Sequence, residues 1–88
     1  MNTAFLLMAQ YNGAAVIPLE NVCRDYFSHL TPIQFTRKAT DGEIDLPVVR
    51  IEGSQKAAKG VHLFDLAAWI DARRAAAKKE CDQMQGRR

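Results

Sequence analysis

Two histidines, two cysteines and one acidic cluster carry what catalytic or metal-binding chemistry this chain has, and their placement assembles neither. His29 stands in a turn and His62 in an extended run, positions where a solitary histidine is structural or solvent-facing. Cys23 and Cys81 have no metal-like neighbour spacing and are too few for a disulfide framework, so both read as reduced thiols. Asp41, Glu43 and Asp45 lack the glycine turn and closing glutamate of a calcium-binding loop, and read as an acidic loop without a ligand. No glycine-rich phosphate cradle is present. Nothing brings an acid, a base and a nucleophile together as an active site requires. The expectation is no enzyme, no metal and no cofactor.

A second set of residues points to nucleic acid. Ile33, Gln34, Arg37 and Lys38 fall on one side of a short helix, opposite Phe35 and Ala39. Glutamine can bridge adenine and arginine can bridge guanine through two hydrogen bonds in the major groove, which assigns base reading to Gln34 and Arg37. Lys38 suits the phosphate backbone. Thr31, at the free N–H groups that begin the helix, suits a phosphate as well. Downstream, Ser54, Gln55, Lys56 and Lys59 lie between Gly53 and Gly60 with only alanines among them. A small-residue loop with cations can approach flanking phosphates or a minor groove, though a loop that merely faces solvent has the same composition. Arg50, on the strand entering that loop, can support it or reach a phosphate.

The elements that must hold these residues can be read from spacing and punctuation. Asn2 or Thr3 caps a first helix over 3–11 with Phe5, Leu6, Met8 and Ala9 as its apolar face, ended by Asn12-Gly13. Ala15-Val16-Ile17 is a short extended entry. Pro18 opens a second helix over 18–28, where Leu19, Val22, Cys23, Tyr26 and Phe27 recur at helical intervals. Thr31-Pro32 caps and starts a third helix over 31–41. Val48, Val49 and Ile51 make 46–52 a strand with Pro47 at its edge, and 61–63 the return strand, so that 46–63 forms a hairpin. A last helix over 64–83 packs Leu66, Trp69 and Ile70 inward and then runs on as a solvated stretch bearing Arg73, Arg74, Lys78 and Lys79, followed by a frayed basic tail over 84–88. Helix, turn, helix, hairpin, helix is the order of a winged helix-turn-helix: mainly α, with one small β-hairpin, in a single domain.

Size and composition agree with that reading. At 88 residues the chain makes one thin-cored domain, and 48% hydrophobic with 25% charged residues is ordinary for a globular protein. A net charge of +2 excludes a histone-like polycation. The charge is uneven, however, summing to −1 over residues 1–30, +1 over 31–60 and +2 over 61–88. No apolar run approaches the roughly 18–20 residues of a membrane span, and the N-terminus lacks the positive start of a signal peptide. The expected compartment is the cytoplasm.

The blocks Val16–Phe27, Pro32–Lys38, Leu46–Lys56 and Gly60–Trp69 resemble the pyocin activator proteins, small transcriptional activators of bacteriocin and prophage-like gene clusters. The resemblance runs from Met1 to about Glu80, with Val48-Val-Arg-Ile-Glu-Gly-Ser-Gln-Lys56 its most specific block. More distantly the order of elements is similar to phage excisionases and the DNA-binding domains of MerR-type regulators, without the effector-sensing segment of the latter. The resemblance implies a winged fold, double-stranded promoter DNA as partner and RNA polymerase as a further one. A domain this small covers little DNA, so a homodimer or cooperative assembly on paired sites is expected; Phe5, Leu6 and Met8 are candidates for a protomer contact and equally for covering their own core. An excisionase-like DNA-bending protein and a protein-binding adaptor are the competing functions.

Overall fold

The computed structural model describes residues 2–53 and 57–86 of the chain. Helix α1 spans Thr3–Gln10, strand β1 Val16–Pro18, α2 Leu19–Tyr26, α3 Pro32–Thr40, β2 Val49–Arg50, β3 Lys59–His62 and α4 Leu63–Met84. All four helices stand within two residues of the expected bounds. Each begins where the local chemistry dictates. The Asn2 side chain accepts the Phe5 N–H, and the His62 Nδ1 accepts the Phe64 N–H, which makes His62 the cap of α4. Asn12 and Gly13 both take positive φ at the end of α1, the left-handed turn that stops a helix.

The sheet differs from the expected hairpin. It has three antiparallel strands in the order β1-β3-β2, with β3 in the middle. Val16, Ile17 and Pro18 pair with His62, Val61 and Gly60, and the Leu63 N–H continues the ladder to the Ala15 carbonyl 2.8 Å away. The extended entry before α2 is therefore a true strand. Pro18, which lacks an N–H, can join a ladder only at an edge, and β1 is an edge. On the other side the expected strand over 46–52 contracts to Val49–Arg50, which pairs with Gly60 and Lys59. Ile44 and Leu46 are buried, and drawing these side chains inward pulls the approach out of the sheet.

Gly60 stands where β1 presses closest on β3. A Cβ there would lie 2.5 Å from the Ile17 carbonyl oxygen and 2.6 Å from Val16 Cγ1. Only a residue without a side chain lets β1 close on β3.

The core is one cluster built from every layer: Leu7, Ile17, Leu19, Val22, Cys23, Phe27, Phe35, Ile44, Leu46, Val61, Leu63, Leu66 and Ala67. Phe27 is its hub. Its ring meets Phe35 edge-on at 5.0 Å and a tilted Trp69 at 5.9 Å, locking α2, α3 and α4 together. One expectation fails here. Leu7, with Ala4 and Tyr11 beside it, is the inward face of α1, while Phe5, Leu6, Met8 and Ala9 face solvent. Nearly every residue of α1 is apolar, so helical spacing could not choose a face; the contact with α4 and the bonds at its two ends choose it.

Those bonds form a polar clasp between α1 and α2. The Tyr11 hydroxyl donates to Asp25 at 2.6 Å, the Arg24 guanidinium reaches the same carboxylate at 2.9 Å, and the Tyr26 hydroxyl donates to Gln10 at 2.8 Å. The hydrogen bond from Arg24, then that from Tyr11, hold the Asp25 carboxyl below its usual range. Burial, reinforced by the bond to Asp25, pushes the Tyr11 phenol well above its ordinary value. Among the described residues no helix is long and apolar enough to cross a membrane.

Two outcomes are expected. Gly60→Ala destabilises the fold by about 1–3 kcal/mol through forced strand separation, whereas Gly53→Ala, whose added carbon meets nothing within 4 Å, changes little; urea denaturation measures both. The clasp also sets pH limits. Asp25, with its folded value lowered, stabilises the protein above the usual carboxylate range and loses this as pH falls through the folded value; Tyr11, with its folded value raised, loses its contribution as pH rises beyond about 10. Thermal melts across pH should show Asp25→Asn flattening the acid limb and Tyr11→Phe the alkaline one.

Candidate nucleic-acid interface

Helix α3 is held by its base and open along its outer side. Phe35 is buried completely, while Ile33 is 74% exposed and Gln34 and Arg37 are exposed beside it. The division follows from helical arithmetic: the aromatic anchors the element and the residues two before it, one before it and two after it point outward. The N-terminus is closed by a full capping box. The Thr31 hydroxyl accepts the Gln34 N–H at 3.2 Å, and the Gln34 carboxamide oxygen accepts the Thr31 N–H at 3.0 Å. The Thr-x-x-Gln spacing was readable in the sequence, where Thr31 was recognised as a cap and Gln34 only as a base reader. Its side chain already has a structural task, and contact with an adenine would require releasing that oxygen.

The hairpin stands beside α3. Arg50 and Lys59 are direct partners across β2 and β3, so both cations occupy one face of the hairpin. Like charges set opposite each other weaken a sheet unless an anion lies nearby. Each cation borders a hollow against α3. Lys59 lines one of about 430 Å³ together with Ile33, Thr36 and Arg37; Arg50 lines another of about 350 Å³ with Thr36, Ala39 and Leu46. Thr36 is common to both, its hydroxyl donating to the Pro32 carbonyl at 2.8 Å. The fold thus brings Arg37, Arg50 and Lys59 around one stretch of α3. Lys38 stands apart, half-buried and paired with Glu43 at 3.4 Å. Ser54, Gln55 and Lys56 lie outside the described residues.

One residue of this face was not anticipated. Glu20, in the first turn of α2, lines the same hollow as Arg37 and Lys59. It sits where an acid favours a helix start, which is the sequence signal for its place but not for its neighbours. Its charge, together with burial as the larger cause, raises the Cys23 thiol above its ordinary value, so Cys23 is held as a neutral core residue and not as a thiolate. Among the described residues no three His, Cys, Asp or Glu side chains gather as a metal site.

Fold and surface together define a small module of four helices on a three-stranded sheet that presents one open helix beside a cationic hairpin. The chain belongs to the pyocin activator family: the family model described as Pyocin activator protein PrtN matches residues 3–77. This is a family of regulatory activators and not of enzymes. No curated protein and no solved structure matches the chain.

Loss of the cap separates the structural from the recognition role of Thr31. Thr31→Ala is expected to cost about 1 kcal/mol of stability, read from chemical denaturation, with Thr31→Ser retaining most of it.

Proposed function

We propose that the protein is a winged helix-turn-helix activator that binds promoter DNA of pyocin or prophage-like genes in the cytoplasm and promotes their transcription by RNA polymerase. In this reading α2 and α3 are the helix-turn-helix, α3 is the recognition helix, and β2 and β3 are the wing. A single arrangement carries it: the exposed side of α3, with Ile33, Gln34 and Arg37, lies alongside the two cations Arg50 and Lys59 that the hairpin places opposite each other. Membership in a family of pyocin activators supplies the regulatory context.

The chemistry divides by position. Arg37, without a short ion pair among the described residues, reads a base edge, guanine being the base whose acceptors match a guanidinium. Ile33 offers an apolar contact to a thymine methyl. Arg50 and Lys59 take phosphates, which also relieves their mutual repulsion. Thr31 lies at the helix start, where the backbone of α3 meets a phosphate; Gln34 contacts DNA only on leaving its cap. Lys38, paired with Glu43, adds a backbone contact if that pair opens on DNA, and Ser54, Gln55 and Lys56 are further DNA-contacting residues. Glu20 disfavours misplaced phosphate in the hollow and helps fix the register.

The test is a salt-titrated binding assay on promoter DNA from a pyocin cluster against scrambled DNA of equal length. Arg37→Ala should weaken promoter binding by about 1–3 kcal/mol and relax preference at one position, while Lys59→Ala and Arg50→Ala should weaken binding to both DNAs and each lower the salt slope by about one. Equal, weak binding to both DNAs that none of the substitutions alters would overturn this reading in favour of a protein-binding adaptor. Preference for recombination attachment sites over promoters would replace activation with DNA bending.

A further inference from the structure

Helix α1 buries Leu7 and yet leaves most of its large apolar side chains outside. Its two polar side chains face the protein: Thr3 donates to Asp71 of α4, and Gln10 accepts from Tyr26 of α2. Three of its four large apolar side chains face water, Phe5 at 64% exposure, Leu6 at 55% and Met8 at 37%. A helix on the surface of a globular domain ordinarily shows the reverse pattern. No charged side chain occurs in the chain before Glu20, so nothing on α1 itself offsets this surface.

The patch continues onto α4. Phe64, 58% exposed, borders a hollow of about 220 Å³ with Met8, Gly13, Ala14 and Ala15. Phe5 stands one helical turn from Met8, and Ala9 lies between Phe5 and Leu6 on the outer side. In the first half of α4, Asp71 is engaged by Thr3, and Asp65 lines a different hollow with Pro47 and Trp69.

We propose that this face is the contact between two copies of the chain, related by a two-fold axis that sets α1 against α1. Two properties select a second copy as the occupant. The first is charge. An isologous contact sets one patch against its own copy, so a patch of a single sign would oppose itself; none of Phe5, Leu6, Met8, Ala9 and Phe64 carries a charge. The second is area. Large side chains expose roughly 150–250 Å² each, so the four residues at their stated exposures hold on the order of 400 Å² of apolar surface. A standard interface takes about 800 Å² from each partner, of which a little over half is apolar, and the patch supplies nearly that amount. The hollow beside Phe64 offers a seat for a ring from across the axis, and Phe5 is the ring best exposed to fill it. Because α1 packs on α4 while α3 packs on α2, the contact leaves α3 and the hairpin uncovered. The inference deepens the DNA-binding reading by giving it paired modules, but its test needs no DNA.

The experiment is sedimentation equilibrium of the full chain over the micromolar range, at low and at high salt. The wild type should dimerise at both, since an apolar contact does not weaken with ionic strength as phosphate binding does. Phe5→Glu and Phe64→Lys should each raise the dimer dissociation constant at least tenfold, and mixing the two variants should restore association by pairing Glu at position 5 of one copy with Lys at position 64 of the other. Leu6→Glu should weaken the dimer in the same direction. Circular dichroism confirms that each variant is folded, as expected for changes at exposed positions. A wild type that stays monomeric throughout the range, or substitutions that leave the dimer intact, would overturn the proposal. Salt-sensitive binding of a monomer to a single DNA site would then leave the DNA reading standing alone.

Discussion

The close approach of β1 to β3 at Gly60 is the constraint from which the other placements descend. The central strand has four residues, yet it holds β1 on one edge and β2 on the other and passes directly into α4 through the capping His62. β1 leads without a break into α2, so the distance between β1 and β3 fixes where α2 begins. Helix α2 in turn carries Phe27, against which Phe35 is seated edge-on, and Phe35 sets the rotation of α3. A chain of short-range contacts therefore links a missing side chain in the sheet to the direction in which Arg37 points.

That geometry produces a surface with internal tension on the α3 side. Arg50 and Lys59 oppose each other across the hairpin, Glu20 intrudes on the hollow that Lys59 shares with Arg37, and Gln34 is divided between a cap and the solvent. None of these arrangements is what stability alone would select. Sites that bind anions commonly hold charge in this way, with repulsion relieved when the ligand arrives. On the α1 side the tension is of another kind, apolar surface left in water while polar groups are bonded within. In the roles proposed for them the two faces use different physics, DNA binding weakening with salt and the apolar contact indifferent to it.

Much of the architecture was legible from local signals. Asn2, Thr31-Pro32 and Asn12-Gly13 place helix ends within two residues because capping and left-handed turns are decided by a few neighbouring atoms. Cys23, Phe27, Phe35 and Leu66 were recognisable as inward because their helices alternate apolar with polar at the helical interval. What escaped was non-local. β1 reads from sequence as a short extended entry to α2 and not as a strand of the sheet, since three residues ending in proline show no partner until β3 lies beside them. Leu46 looked like the start of a strand, since nothing in the sequence says that the core will claim its side chain. Helix α1 could not declare an inner face at all, because nearly all of it is apolar.

The sequence by itself determined the order and extent of the helices, the cap that starts α3, and the residue types available for contact with phosphate and base. These follow from interactions within a turn or two of the chain. Only the tertiary structure decided that Leu7 would be inside and Phe5 outside, that Arg50 would face Lys59, and that Glu20 would border the hollow with Arg37. Such pairings join residues far apart in sequence, and they depend on which surfaces close first on one another and how near two backbones can come. At Gly60 that distance is set by the absence of a single carbon atom.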